Sequence, residues 1–335
     1  MLKRVFHSWE RRLAAAAENR TVRPFEWGLE WIPDLRGEGR EADQLIEWAG
    51  RALRDSERFF AIPTETRFAL TGDRLSFESA VVTPHPENNR VSARYFPESS
   101  TSGRRRAVLV LPQWNADADG HVGLCRLMNR FGVSALRLSL PYHDARMPPE
   151  LLRADFIVSA NVGRTLAVCR QAVLDARMAI GWLRSQGYES IGIMGTSLGS
   201  CLSLLTAAHE PAIRVAALNH ISPYFADVVW SGLSTAHVRE SLDGNVDLED
   251  LREIWMPISP WPYISRMRNT RSLLVYALYD LSFPVHLSKK LVNGFRTERV
   301  PHQVAVLPCG HYSTGVTPFK YLDGLTISRF LSRYL

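Results

Sequence analysis

Residues 190–200 read SIGIMGTSLGS, and the fold turns on them. Ile191, Gly192, Ile193 and Met194 form an apolar run long enough for a buried parallel strand, and the run leads straight into Gly195-Thr196-Ser197-Leu198-Gly199. A G-x-S-x-G pentapeptide between strand and helix places its serine on a sharp, strained turn with the hydroxyl exposed, and the residues two before and two after it must be small for strand and helix to approach. Gly195 and Gly199 meet that demand. Leu198, Cys201, Leu205 and Ala208 then recur at helical spacing until Pro211, so the turn opens a helix whose first free N–H groups point back at the serine. Ser197 is the candidate nucleophile; a tight turn carrying an idle serine is the alternative.

Outward from the turn, the chain alternates short apolar runs with longer helical periods. Upstream lie a strand over 107–111 ending in Pro112-Gln113-Trp114-Asn115, a helix over 120–131, a strand over 133–138 opening into Leu140-Pro141-Tyr142-His143, and a long helix over 162–185. Downstream come strands over 213–218, 273–279 and 303–307, then a last helix with Ile327, Phe330, Leu331 and Tyr334 apolar. Two further β-like runs, 75–82 and 91–96, precede the series. This alternation predicts an α/β fold with a mostly parallel central sheet, right-handed crossovers and flanking helices, and reactive residues gather beyond the carboxyl ends of such strands.

Residues 222–265 break the alternation with Tyr224, Phe225, Trp230, Trp255 and Trp261, which suits a small helical lid over an acyl pocket. Residues 1–74 are expected to be an N-terminal helical extension, with a helix over 42–60, and 75–335 the catalytic α/β domain. The first 18 residues place Leu2, Val5, Phe6, Trp9 and Leu13 on one helical face amid Lys3, Arg4, Arg11 and Arg12. Docking on the body of the protein or on a second subunit is the expectation, with peripheral contact to an anionic membrane as the alternative.

Composition narrows the class. The chain of 335 residues is 46% hydrophobic and 22% charged, ordinary values for a globular protein, and its length buries a large core. A net charge of +6 is spread over 40 basic and 34 acidic residues; the tight basic run Gly103-Arg104-Arg105-Arg106 sits before a strand and reads as a solvated loop, so no nucleic-acid partner is expected. Cys125, Cys169, Cys201 and Cys309 show no C-x-x-C spacing, so reduced core thiols and no metal site are expected, with Cys309 the thiol closest in sequence to the site. With no signal peptide and no span of about 18 apolar residues, a cytoplasmic location is the default expectation.

A neutral serine needs a base within reach and a carboxylate to orient that base. Ser197, Asp280 and His311 follow one another in the order nucleophile, acid, base, each just past the end of an expected strand. Asp227 and Asp323 compete for the acid role and His220 for the base. Asp280 is favoured because it ends a strand and Pro284 soon starts the next helix, and His311 because the base comes last in this order. The oxyanion donors are expected to be the backbone N–H of Leu198 and one in the loop after Leu111, Trp114 in preference to Gln113. Tyr142, His143 and Trp230 are candidate pocket residues.

These residues resemble the α/β-hydrolase superfamily from about Leu75 onward, by GTSLG at the elbow, YDLSFP around Asp280 and CGHY around His311. More narrowly, LPYHDARMP followed by a long helix and GYESIGIMGTSLGS is similar to the group around α/β-hydrolase domain-containing protein 18, with a weaker likeness to dienelactone hydrolases and acetyl xylan esterases. The histidine-glycine oxyanion motif of many lipases is absent, Pro112-Gln113 standing in its place. The resemblance implies hydrolysis of a small-molecule or lipid carboxylic ester through an acyl-serine intermediate, with no metal or organic cofactor. A peptidase of the prolyl-oligopeptidase type and a catalytically silent hydrolase-fold binding protein are the alternatives; the oligomeric state is left open.

Overall fold

The computed structural model describes residues 2–17, 19–35, 38–98 and 105–335; Gly103 and Arg104 of the basic run lie outside the described residues. Its centre is a nine-stranded sheet in the order β1-β2-β3-β5-β4-β6-β7-β8-β9. The strands are β1 (Phe68–Thr71), β2 (Arg74–Glu78), β3 (Arg90–Phe96), β4 (Arg106–Leu111), β5 (Ser134–Leu138), β6 (Ser190–Thr196), β7 (Ile213–Asn219), β8 (Arg271–Ala277) and β9 (His302–Leu307). The first three and β5 pair antiparallel; from β5 to β9 every pairing is parallel. The sheet begins at Phe68, ahead of the expected Leu75, because exposed Ala69, Leu70 and Thr71 make an edge strand with little apolar patterning.

Eleven α-helices are described: α1 (Leu2–Ala15), α2 (Glu41–Arg54), α3 (Ser56–Phe59), α4 (Val122–Arg130), α5 (Val162–Ser185), α6 (Leu198–His209), α7 (Phe225–Ser231), α8 (Ala236–Leu242), α9 (Leu248–Ile254), α10 (Val285–Thr297) and α11 (Phe319–Tyr334). Strands β4, β6, β7 and β8 are largely apolar on both faces because helices cover both, whereas the edge strand β9 is mostly exposed. Ala107, Leu109 and Leu111 of β4 pack with α5 and α6, while Val108 and Val110 face α4 and α11. The helix expected over 42–60 is divided: Asp55 leaves helical geometry and caps α3, its side chain accepting the Arg58 N–H.

α1 packs on the body through a narrower stripe than its apolar spacing suggests. Glu10 and Ala14 are buried and Phe6 stacks on Tyr279 at 4.5 Å, whereas Leu2 and Val5 stay exposed. Between β7 and β8, α7, α8 and α9 lie over the carboxyl edge, tied down by the Trp255 indole N–H, which donates to the Val162 carbonyl. Among the described residues no helix is long and apolar enough to cross a membrane.

Candidate active site

Ser197 follows β6 directly and precedes α6, with φ 57° and ψ −120°. A side chain is strained there, and such strain gathers at functional sites. Two glycines permit the turn. A Cβ on Gly195 would lie 2.0 Å from the Gly199 carbonyl oxygen, and one on Gly199 would lie 2.2 Å from the Leu111 carbonyl oxygen.

Asp280 stands beyond β8 and His311 beyond β9, and the loops carrying them are joined where the Tyr279 N–H donates to the Cys309 carbonyl at 2.9 Å. His311 Nδ1 lies 3.0 Å from Asp280 Oδ2. A carboxylate only accepts, so Nδ1 carries the proton and Nε2 keeps its lone pair. Ser197 and His311 both line one cavity. Asp280 is fixed on its other side as well: Oδ1 accepts the N–H groups of Ser282 at 2.8 Å and Phe283 at 2.7 Å, and the Phe283 ring lies parallel to the His311 ring. Burial alone would raise this carboxyl, but the imidazoles of His311 and His220 hold it well below the usual carboxylate range.

The rivals make other contacts. Asp227 is held by the Arg252 guanidinium at 2.9 and 3.1 Å, and Asp323, on α11, accepts from Asn219 Nδ2 at 2.9 Å. His220 does join the site, but as a second donor to Asp280 Oδ2, through Nδ1 at 2.8 Å. Donor atoms of His220, Asp280 and His311 lie within 4.8 Å of one another, the one cluster among the described residues spaced to hold a metal ion; here both rings use that spacing to hydrogen-bond a single carboxylate oxygen.

The loop after β4 is held on three sides. The Asn115 N–H donates to His143 Nε2 at 3.0 Å, Asn115 Oδ1 accepts the Ala154 N–H at 2.8 Å, and the Trp114 indole N–H donates to the Ala154 carbonyl at 2.8 Å. The Trp114 ring is stacked by His237 and lies under the Arg153 guanidinium. Among the described residues no acceptor is recorded for the backbone N–H of Leu198, Trp114 or Gln113.

None of the three expected pocket residues lines the cavities at Ser197. Tyr142 is fully buried and bonded to His85, and Trp230 packs under Arg239. His143 is buried with Nδ1 donating to the Pro141 carbonyl; desolvation lowers its pKa to about 4, which keeps Nε2 an acceptor for Asn115. Tyr142 also has positive φ, 62°. Cys309 bonds Thr314, and burial pushes its thiol up to about 11, so it stays protonated and unreactive.

Two cavities meet at Ser197. One, of ≈ 40 Å³, is walled by apolar Leu198, Phe225, Val228, Val229 and Phe283. The other, of ≈ 1000 Å³, runs past His311 between α4 and α11 and is more polar, with Thr196, Asn219, His220 and Asp323 on its wall. Glu10, which sequence reasoning passed over, completes the site from α1. Its carboxylate accepts the N–H groups of Tyr312 and Ser313, both at 2.9 Å, and the Ser313 hydroxyl at 2.7 Å. It thereby holds the turn that bears His311. The signal was present: Glu10 is the lone acid in an otherwise basic helix.

No family model matches the sequence, and no curated protein matches it. Solved structures do match in shape. Pyrococcus horikoshii acylaminoacyl peptidase is similar at a TM-score of 0.62 and 15% identity over 81% of this chain; the match spans only 42% of the peptidase. Acetyl xylan esterase 1 from Thermoanaerobacterium sp. is similar at a TM-score of 0.58 and 15% identity, over 92% of this chain and 99% of the esterase. Acetyl xylan esterase from Paenibacillus sp. R4 gives a TM-score of 0.59 and 15% identity, over 91% and 98%. The chain thus has the fold of α/β-hydrolases.

Proposed function

We propose that the protein is a serine hydrolase of carboxylic esters. The observation that carries this reading is the Asp280–His311 hydrogen bond, with His311 lining the same cavity as a serine on a strained elbow and all three residues at the carboxyl edge of the parallel part of the sheet. His311 Nε2 takes the Ser197 proton as Oγ attacks the ester carbonyl; the tetrahedral oxyanion rests on the N–H groups of Leu198 and Trp114. The alcohol leaves with the proton from His311. A water molecule, deprotonated by the same ring, then attacks the acyl-serine, releasing the acid and restoring the serine hydroxyl. Each oxyanion donor is worth about 3 kcal/mol of transition-state stabilisation.

Esters are favoured over peptides because the esterase structures are matched along nearly their whole length, whereas less than half of the peptidase is. The same reading includes a lid role for α7 to α9, an extension ahead of a hydrolase domain, a cytoplasmic location in keeping with four free buried cysteines, and kinship with the α/β-hydrolase domain-containing protein 18 group, which rests on motif layout alone. The test is turnover of p-nitrophenyl acetate and butyrate, with an acyl-alanine p-nitroanilide as the peptidase arm, by wild type and Ser197→Ala. Ester turnover lost in the variant supports the proposal; equal rates in both proteins overturn it.

A further inference from the structure

The wall of the larger cavity is strongly uneven in charge. Arg20, Arg126, Arg130, Arg153 and Lys320 line it, against the single carboxylate of Asp323. Among the described residues no carboxylate pairs with Arg20, Arg126, Arg130 or Lys320. Arg153 is paired, but its partner is shared: Asp155 Oδ1 accepts from Arg153 Nε at 3.2 Å, and Oδ2 from Arg23 Nε at 3.1 Å. Arg126, Arg130 and Lys320 are exposed and Arg20 is half-buried, so these cations are open to whatever fills the cavity. Two of the five stand next to the reacting residues. The Arg20 guanidinium donates to the Tyr312 hydroxyl at 2.7 Å, one residue from His311, and Arg153 lies 5.1 Å from the centre of the Trp114 ring.

We propose that the larger cavity takes the alcohol portion of the ester and that this portion carries a carboxylate or phosphate, bound by Arg20, Arg126, Arg130 and Lys320; this rests on the esterase reading above. A cleft lined by one sign of charge focuses its field and gathers ions of the other sign, and guanidinium groups match the oxygens of both anions. A cationic or neutral alcohol gains nothing from that field. Leu124, Leu127 and Leu325 share the same wall and suit an apolar body behind the anion. The position of the base assigns the two halves of the ester. As the bond from the carbonyl carbon to the alcohol oxygen breaks, that oxygen takes the proton from His311 Nε2, so the alcohol lies on the His311 side. His311 lines the cavity of ≈ 1000 Å³ and is absent from the wall of the apolar chamber of ≈ 40 Å³, which is left to a short acyl chain.

Para-substituted phenyl acetates vary the charge of the alcohol while the acyl group stays the same. 4-Acetoxybenzoate and 4-acetoxyphenyl phosphate carry the two anions, 4-acetoxybenzamide is neutral, and 4-acetoxy-N,N,N-trimethylanilinium is a cation. Acetate release by the full chain gives kcat/KM for each, divided by that ester's rate with hydroxide to remove differences in leaving-group reactivity. At least one anionic ester should exceed the amide by about tenfold or more, with the cation poorest. Raising the salt from about 0.05 to about 0.5 M should shrink that preference. Arg20→Gln, or the pair Arg126→Gln and Arg130→Gln on exposed positions, should cut it at least about threefold by raising KM for the anionic ester. A ratio near or below one for both anions, or a preference that neither variant reduces, overturns the subsite and leaves the cations as a solvated rim. Hydrolysis of none of the four esters overturns the esterase reading itself.

Discussion

Three side chains set the proposed chemistry and one sets its geometry. Asp280 accepts four hydrogen bonds from fixed donors, so it stays ionised and holds Nδ1–H of His311 in one tautomer. Asp280→Asn presents the wrong partner to that ring, and ester kcat should fall about 10⁴-fold with KM little changed. His143 acts at one remove: it lines neither cavity at Ser197 but fixes Asn115 and, through it, Trp114. Removing it in His143→Ala should lower kcat about 10- to 100-fold without a matching rise in KM, measured by steady-state kinetics on p-nitrophenyl acetate. Equal changes in both constants would point to a role in substrate binding instead.

At the scale of elements, α1 belongs to the site through one carboxylate. In Glu10→Gln the amide keeps an acceptor oxygen but turns an N–H donor toward a backbone N–H, so one of the two backbone contacts to the His311 turn is lost. We expect kcat to drop about tenfold while a cooperative thermal transition persists; unchanged kcat would show that the turn stands without α1. Sequence periodicity showed α1, the alternating sheet and the Ser197 elbow, because each repeats or carries a steric requirement. It did not show where a buried side chain points. Tyr142 and His143 follow a strand as pocket residues do, yet both side chains are fully buried and line neither cavity. Likewise His220 was read as a rival to His311, and only folding reveals that both rings address one oxygen of Asp280.

For the whole molecule, buried neutral imidazoles dictate acid sensitivity. Desolvation lowers His121, His143, His209 and His237 each to about 4, against about 6.5 in an unfolded chain. The unfolded chain therefore binds more protons between these limits, so stability is full above pH 6.5 and is lost as the pH falls toward 4. Asp323, raised to about 6, opposes this, since its protonated form is favoured by folding, as do the raised Asp175 and His220, but four imidazoles stand against them. The urea midpoint should be clearly lower at pH 4.5 than at pH 7, and His143→Phe should flatten part of that dependence; a midpoint constant across the range would contradict it.

The central claim is that Ser197 is an activated nucleophile. Intact-mass analysis after treatment with a fluorophosphonate should show one adduct per chain, mapped by peptide sequencing to Ser197 and absent from Ser197→Ala. An unlabelled wild type, or a variant labelled as fully as the wild type, would contradict it.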